Sequence, residues 1–415
     1  MRTSVHPIAW KSAVPLSVAL LMFASGCSSG SKSGTSSSSA DAGSASSATG
    51  TPIKIGLINQ GKGAVTFPAV ANPMIATVKY TNAHGGAGGH PIDLDVCLDD
   101  GTVGDSAACA TKFVGDKVVA VLNGEDLNNA STHSILDDAG IPMIGWNPFT
   151  AADFASKTSF WMSPGYDVFT TLIKIMRDDF HASTAGYLSP DLAASQGPLN
   201  YMQKAAASVG LKINVVKYNY ASASYTAPVA QLVASHPDVI YTYAADTTAS
   251  PIIQAIRQAG YQGQIFAGTT RTFVSVLGAS ASKDINVEAT LYDWHIPQKA
   301  PAEVQPEIKA FLAAMGEYDS GQPETAYGQW SFSATMNLVS VLGAMKADIT
   351  SAGISAAMRQ NTDRHNYMGK TWNCVTASLA PSPGTCVRGM QIVSFDGTNW
   401  QETGNFVSAA NLVTG

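Results

Sequence analysis

From Thr51 onward, short runs rich in β-branched residues alternate with stretches whose apolar residues recur at helical spacing. The first run predicts a strand over 53–58. Met74, Ile75 and Val78 then mark a helix that ends near His84, where Gly85-Gly86-Ala87-Gly88-Gly89 stops it because glycine enters the left-handed region without a Cβ clash. Strands follow over 92–98, 118–122 and 142–144, with a helix between each pair. A second series begins after Tyr166: helix 167–180, strand 185–188, helix 199–209, strand 213–218, helix 227–234, strand 239–243, helix 250–259 and strand 265–267. The near-constant interval is what stacked right-handed crossovers require. The fold class is therefore α/β, with two doubly wound, Rossmann-like parallel-sheet lobes. After a strand over 287–292 come two long helical patterns, 302–315 and 326–345. A short all-β tail spans about 372–402, where Asp396-Gly397 signals a hairpin.

The amino-terminal segment follows a different pattern. Arg2 and Lys11 supply a basic start, and residues 13–23 are almost unbroken apolar sequence, too short to cross a ~30 Å hydrocarbon core. Ala24-Ser25-Gly26-Cys27 follows and resembles the bacterial lipobox, in which the cysteine becomes the lipidated first residue of the mature chain. Ala24 stands where that pattern usually has Leu, and an ordinary secretory signal with an incidental Cys27 is the other reading. Residues 28–51 are nearly all Ser, Gly, Ala and Thr, a tether reaching on the order of 25–30 Å. A lipid and a leash place the folded part outside the cytoplasm, anchored to the outer face of the cell membrane.

Length then sets the domain count. At 415 residues the chain exceeds what one core usually supports, and 45% hydrophobic against 13% charged residues suits large buried cores. The expected division is signal 1–26, tether 27–51, a first lobe of 52–166 with 297–370, and a second lobe of 167–296 with 371–410. A net charge of −6 without clustered Lys and Arg excludes nucleic acid as a partner. Beyond Cys27 four cysteines remain, and outside the cytosol their spacing predicts the local pairs Cys97–Cys109 and Cys374–Cys386. Neither pair forms CxxC and no histidine stands at a zinc spacing, so no metal and no cofactor are expected.

Several local sequences, taken in order, carry a resemblance. They are Ile53-Lys54-Ile55-Gly56-Leu57, Asn82-Ala83-His84-Gly85-Gly86, His90-Pro91-Ile92-Asp93-Leu94, Asp99-Asp100, Val118-Val119-Ala120-Val121 and Ala139-Gly140-Ile141-Pro142-Met143-Ile144. Pro237-Asp238-Val239-Ile240, Arg257-Gln258-Ala259-Gly260 and Ala326-Tyr327 continue it. This order resembles type I periplasmic binding proteins, and among them the leucine/isoleucine/valine-binding receptors of ABC transporters. The resemblance implies two lobes joined by three crossings, near 163–167, 293–297 and 369–372, with a small-molecule ligand in the cleft between them. It also implies an ABC permease in the membrane as partner, and a monomer that closes on its solute without catalysing a reaction. A ligand-sensing receptor of the same fold is the alternative.

In amino-acid-binding relatives, hydroxyl residues after the third strand hold the ligand carboxylate and an acid in the second lobe holds the ammonium. Here Glu125 and Asp126 stand at the first place and Thr269 and Thr270, followed by Arg271, at the second. A carboxylate ligand pressed against Glu125 or Asp126 would be repelled, which makes a standard branched-chain amino acid doubtful and a neutral polar, cationic or aromatic ligand a better fit. Trp146 offers a face to a ring or cation, or else packs the lobe; Phe67 presents the same choice. Gln60, Asn147 and Gln196 either hydrogen-bond the ligand or close turns, and Asp246 either touches ligand or caps its helix. Gly56, Gly61 and Lys62 match most of a phosphate loop, but Gly63 replaces its Ser or Thr; Ser280 and Lys283 lack the companion motifs of penicillin-recognising enzymes.

Overall fold

In the computed structural model, residues 48–415 are described, apart from 64, 193–194, 220–223, 243–245, 269–270, 272, 320–324, 347–348, 379–382, 403–404, 410–411 and 413–415. Cys27, the tether to residue 47 and Thr270 lie outside the described residues.

The first sheet contains β1 (Ile53–Gln60), β2 (Ile92–Asp99), β3 (Ala120–Asn123), β4 (Met143–Gly145) and β5 (Ser159–Trp161), all parallel in the order β2-β1-β3-β4-β5. The second contains β6 (Thr184–Pro190), β7 (Lys212–Tyr218), β8 (Val239–Thr242), β9 (Gln264–Phe266) and β10 (Ile285–Ala289) in the parallel order β7-β6-β8-β9-β10. Counted from its own first strand, each lobe thus runs 2-1-3-4-5, as doubly wound folds do. β11 (Arg364–His365) and β12 (Thr371–Trp372) form a separate ribbon. β13 (Gln391–Phe395) and β14 (Trp400–Glu402) extend the second sheet antiparallel beyond β10. Their turn matches the Asp396-Gly397 signal: the Asp396 carboxylate accepts from the backbone N–H of Thr398 (2.7 Å) and Asn399 (2.8 Å), and Gly397 sits at φ 95°.

Each sheet is covered on both faces, so its strands read as nearly continuous apolar runs. Ile55, Leu57, Leu122 and Ile144 turn toward the helices Pro68–Ala83 and Ala326–Ala344, while Ile58, Val121 and Met143 turn toward Val103–Asp116 and Ala130–Ala139. Gly56 is the exception inside β1, because a Cβ there would lie 3.0 Å from the Phe113 ring that packs on the strand. That close approach accounts for the glycine without any phosphate. The helix Val103–Asp116 starts where Thr102 accepts from the Asp105 N–H at 3.2 Å. In the second lobe Tyr187, Tyr241 and Phe266 face the helices Asp167–Asp178 and Gln196–Val209, and Leu188, Ile240 and Ile265 face the opposite layer.

The first two of the chain's passages between lobes follow β5 and β10. After β5 the chain enters Asp167–Asp178, which packs on the second sheet, and after β10 it returns to Gln305–Tyr318, which packs on Pro68–Ala83. The third differs. Trp372, Cys374, Cys386 and Val387 belong to the first core, and only from Met390 do side chains enter the second. The reason is a pairing made far along the chain: the Trp161 N–H donates to Gly384 and the Cys386 N–H to Trp161, so this stretch continues the edge of the first sheet beside β5. The crossing expected near 369–372 is thus corrected to 388–389. Both disulfides form as the spacing predicted, Cys97–Cys109 and Cys374–Cys386.

Candidate functional site

Because all five strands of the first sheet are parallel, their carboxyl ends share one edge. β1 lies between β2 and β3, so the crossovers on either side of it depart in opposite directions and open a crevice there. Among the described residues, buried side-chain atoms with no hydrogen-bond partner gather at this edge. They are Gln60 Oε1 ending β1, Asp99 Oδ2 ending β2, Asn123 Oδ1 ending β3, and Trp146 Nε1 just past β4. The second sheet repeats the arrangement with Thr242 Oγ1 ending β8 and Glu288 Oε1 near the end of β10. Ser250, Ser331 and Ser355 on helices, and Arg364 and Asn366 at the β11–β12 ribbon, also have such atoms. A buried polar atom without a partner costs roughly 1–3 kcal/mol. A series of them along the carboxyl edges therefore supplies bonding capacity that the protein itself leaves unused.

Glu125 follows β3 directly. Its backbone N–H donates to Asn59 Oδ1 at 3.0 Å and its C=O accepts from Gln60 at 2.9 Å, which fixes the loop. The residue is 8% exposed, and no described residue donates a hydrogen bond to its carboxyl. Burial, and in smaller part the neighbouring Asp153 charge, push the carboxyl up to about 8. Asp126, one residue on, is in the opposite situation. It accepts from Ser106 Oγ, from Thr132 Oγ1 (3.3 Å) and from the Asn128 N–H (3.1 Å), which ties two helix starts together. Burial raises its pKa while these donors oppose the rise.

Trp146 is 5% exposed. Its ring stacks on Trp330 (centroids 4.7 Å, 10° between planes) and meets Phe149 and Tyr327 edge-on at 5.0 and 5.5 Å. Tyr327 and Trp330 sit in the first turns of the helix Ala326–Ala344. Gly328 of that helix approaches Pro73 and Gly343 approaches Gly88, so it runs alongside Pro68–Ala83 and brings its amino end to the same edge. Phe67 packs partly buried against this core, and its N–H donates to Gln60. Gln60 Nε2 holds the Val65 carbonyl at 3.0 Å.

The remaining expected residues are placed otherwise. Asn147 accepts from Ser163 Oγ at 2.7 Å and donates to the Pro148 carbonyl, at the root of the first passage. Gln196 is exposed at the start of its helix. Asp246 opens the helix Asp246–Gln258, its side chain being outside the description. Arg271 is buried, with Nε 2.7 Å from Asp293 Oδ2 and its guanidinium over Trp294 and Trp400. Arg271 and His295 hold the Asp293 carboxyl well below the usual range against the opposing effect of burial. In the second lobe, burial pushes Glu288 up to about 7.

One group of side chains has the composition of a hydrolytic triad. His133 Nε2 lies 2.8 Å from Asp153 Oδ1 and His133 Nδ1 3.3 Å from Ser159 Oγ. Its geometry is structural. Asp153 also accepts from Asn129 and from the Phe149 and Thr150 N–H groups, and Ser159 is 4% exposed at the amino end of β5, with Oγ on Ser156. A groove of about 670 Å³ lined by Tyr166, Gly197, Tyr201 and Lys204 contains none of the expected site residues. Among the described residues no cluster of side chains could hold a metal ion, and no helix is long and apolar enough to cross a membrane.

Comparison with known proteins follows the same lines. Residues 52–396 match the family model described as periplasmic binding protein. No curated protein matches the chain. Solved structures of similar fold include an extracellular ligand-binding receptor from Verminephrobacter eiseniae (TM-score 0.69, 16% identity, covering 86% of this chain and 100% of that one). The branched-chain amino acid transporter substrate-binding protein LivJ from Streptococcus pneumoniae, solved with isoleucine, gives 0.66, 16%, 86% and 100%. The leucine-binding protein LivK from Thermotoga maritima gives 0.65, 14%, 84% and 97%.

Proposed function

Because this chain belongs to the periplasmic binding protein family, as a type I member of the leucine/isoleucine/valine-binding kind, we propose that it is the solute-binding component of an ABC transporter. It captures one small polar or aromatic molecule between the carboxyl edges of its two sheets and presents it to a membrane permease. The family is one of extracytoplasmic binding proteins. The observation that carries the reading is the placement of Gln60, Asn123, Trp146, Thr242 and Glu288, whose buried polar atoms lack partners where ligands of doubly wound sheets bind. In this reading the lobes comprise residues 52–166 with 297–387, and 167–296 with 390–409, and they hinge at the three passages. Cys27 carries the lipid, residues 28–51 form the leash, and the protein works as a monomer without turning over its ligand.

The test is a thermal-shift screen across amines, amino acids, sugars and aromatic acids, with small-angle scattering of each hit. Binding to the folded state alone raises the melting temperature with ligand concentration, and lobe closure shrinks the radius of gyration. A compound that is chemically converted, or stabilisation without compaction, would refute closure-based capture.

A further inference from the structure

We propose that the ligand is an organic ammonium compound held at the first lobe, its cationic nitrogen paired with Glu125 and its body against the Trp146–Trp330 aromatic cluster. This rests on the solute-binding reading above. Three observations converge on it.

The first is charge. Glu125 is more than nine-tenths buried with no donor on its carboxyl, and its neighbour Asp153 is another acid. A buried acid normally finds its countercharge within the protein, and this one does not. Burial raises its pKa, so the free protein favours the protonated form and a cation placed here would favour the carboxylate. Among the described residues, Arg271 pairs with Asp293, His133 hydrogen-bonds Asp153, and the exposed Lys62 lies near Asp100. A ligand carboxylate would therefore meet acids without a free base.

The second is hydrogen-bonding polarity. The unpartnered Gln60 Oε1 and Asn123 Oδ1, on residues 7% and 2% exposed, are acceptors from adjacent strands on either side of the crevice. Asp99 Oδ2 adds a third. An ammonium has donors and no acceptors, the complement of these three; the fourth unpartnered atom of the edge, Trp146 Nε1, is a donor and belongs to the aromatic cluster instead. The third is the aromatic cluster, since Trp, Tyr and Phe rings concentrate negative potential on their faces and favour cations over anions. Asp126, also an acid, has its oxygens occupied by its own donors and acts on this edge only through its charge, which raises the pKa of Asp99.

The full chain is titrated calorimetrically, with melting temperature in parallel, against 2-phenylethylamine, 2-phenylethanol, phenylacetate, phenylalanine, leucine, choline, putrescine and glucose. The expected result is binding by the ammonium compounds and none by phenylacetate, phenylethanol or the zwitterions. Glu125→Gln is expected to weaken phenylethylamine about 10- to 100-fold, the effect of losing a charged hydrogen bond, whereas Gln196→Ala leaves it unchanged. Trp330→Leu, a second variant of the same wall, is expected to weaken phenylethylamine more than putrescine. Binding by phenylacetate or leucine with no binding by amines overturns the ammonium inference and leaves the solute-binding reading standing, as does an unaltered affinity in both variants. If no compound of any class binds, the solute-binding reading falls as well.

Discussion

The two carboxyl edges are built on the same strand order and treat charge in opposite ways. At the second, Arg271 and Asp293 neutralise each other under Trp294 and Trp400, and His295 closes the pair. At the first, Glu125 has no countercharge among the described residues beside Asp153, with acceptors that no described residue satisfies. The fold specifies where an edge lies; the side chains decide whether it is internally complete or open to a guest. The contrast lies between Asp293, which has its countercharge, and Glu125, which has none among the described residues; the second edge keeps unpartnered atoms of its own in Thr242 and Glu288.

The strongest way to break the contrast is Asp293→Ala, which removes the carboxylate 2.7 Å from the buried Arg271. The expected loss is about 3–5 kcal/mol in urea unfolding, partly recovered in the Arg271→Met, Asp293→Ala double variant. The Asp293 pKa is depressed in the folded state, so its contribution is present above the unfolded carboxyl range and is lost as pH falls through and below it. Trp330→Ala removes the stacked face beneath Trp146 and is expected to cost about 2 kcal/mol, less than a fully buried tryptophan because Trp330 is only partly buried.

Glu125→Gln sharpens the contrast with the sign reversed. The folded pKa is raised to about 8 from 4.5, so the wild-type contribution is complete below pH 4.5 and declines by up to about 1.4 kcal/mol per pH unit as pH rises toward 8. Urea unfolding from pH 5 to 9 should show the variant gaining on the wild type across that range; a parallel pair of curves would show that Glu125 is not strained. Gln196→Ala, on an exposed side chain, should change stability by under about 0.5 kcal/mol.

The alternation of strands and helices was legible because each element is specified by its own residues, and both local disulfides were legible for the same reason. What escaped depends on partners far along the chain. β5 has only three residues and takes its neighbour from 384–387, so the third passage was placed too early. Glu125 and Asp126 look interchangeable in sequence, yet Ser106 and Thr132 reach one and nothing reaches the other. Arg271 looked available because Asp293 lies beyond an intervening strand. Trp330 was invisible as a site residue because its role depends on which helix face meets β4, and Asn123 because a strand's last residue is polar for many reasons.

Each disulfide bridges twelve positions of sequence. Four thiols allow three pairings, and the native one is the pairing in which both loops are short. Shuttling ends together over so short a contour is entropically cheap compared with joining cysteines from opposite ends of the chain. Oxidation can therefore run ahead of long-range assembly, each bridge closing within its own stretch of chain. Maturation outside the cytoplasm then has little need for reshuffling by an isomerase.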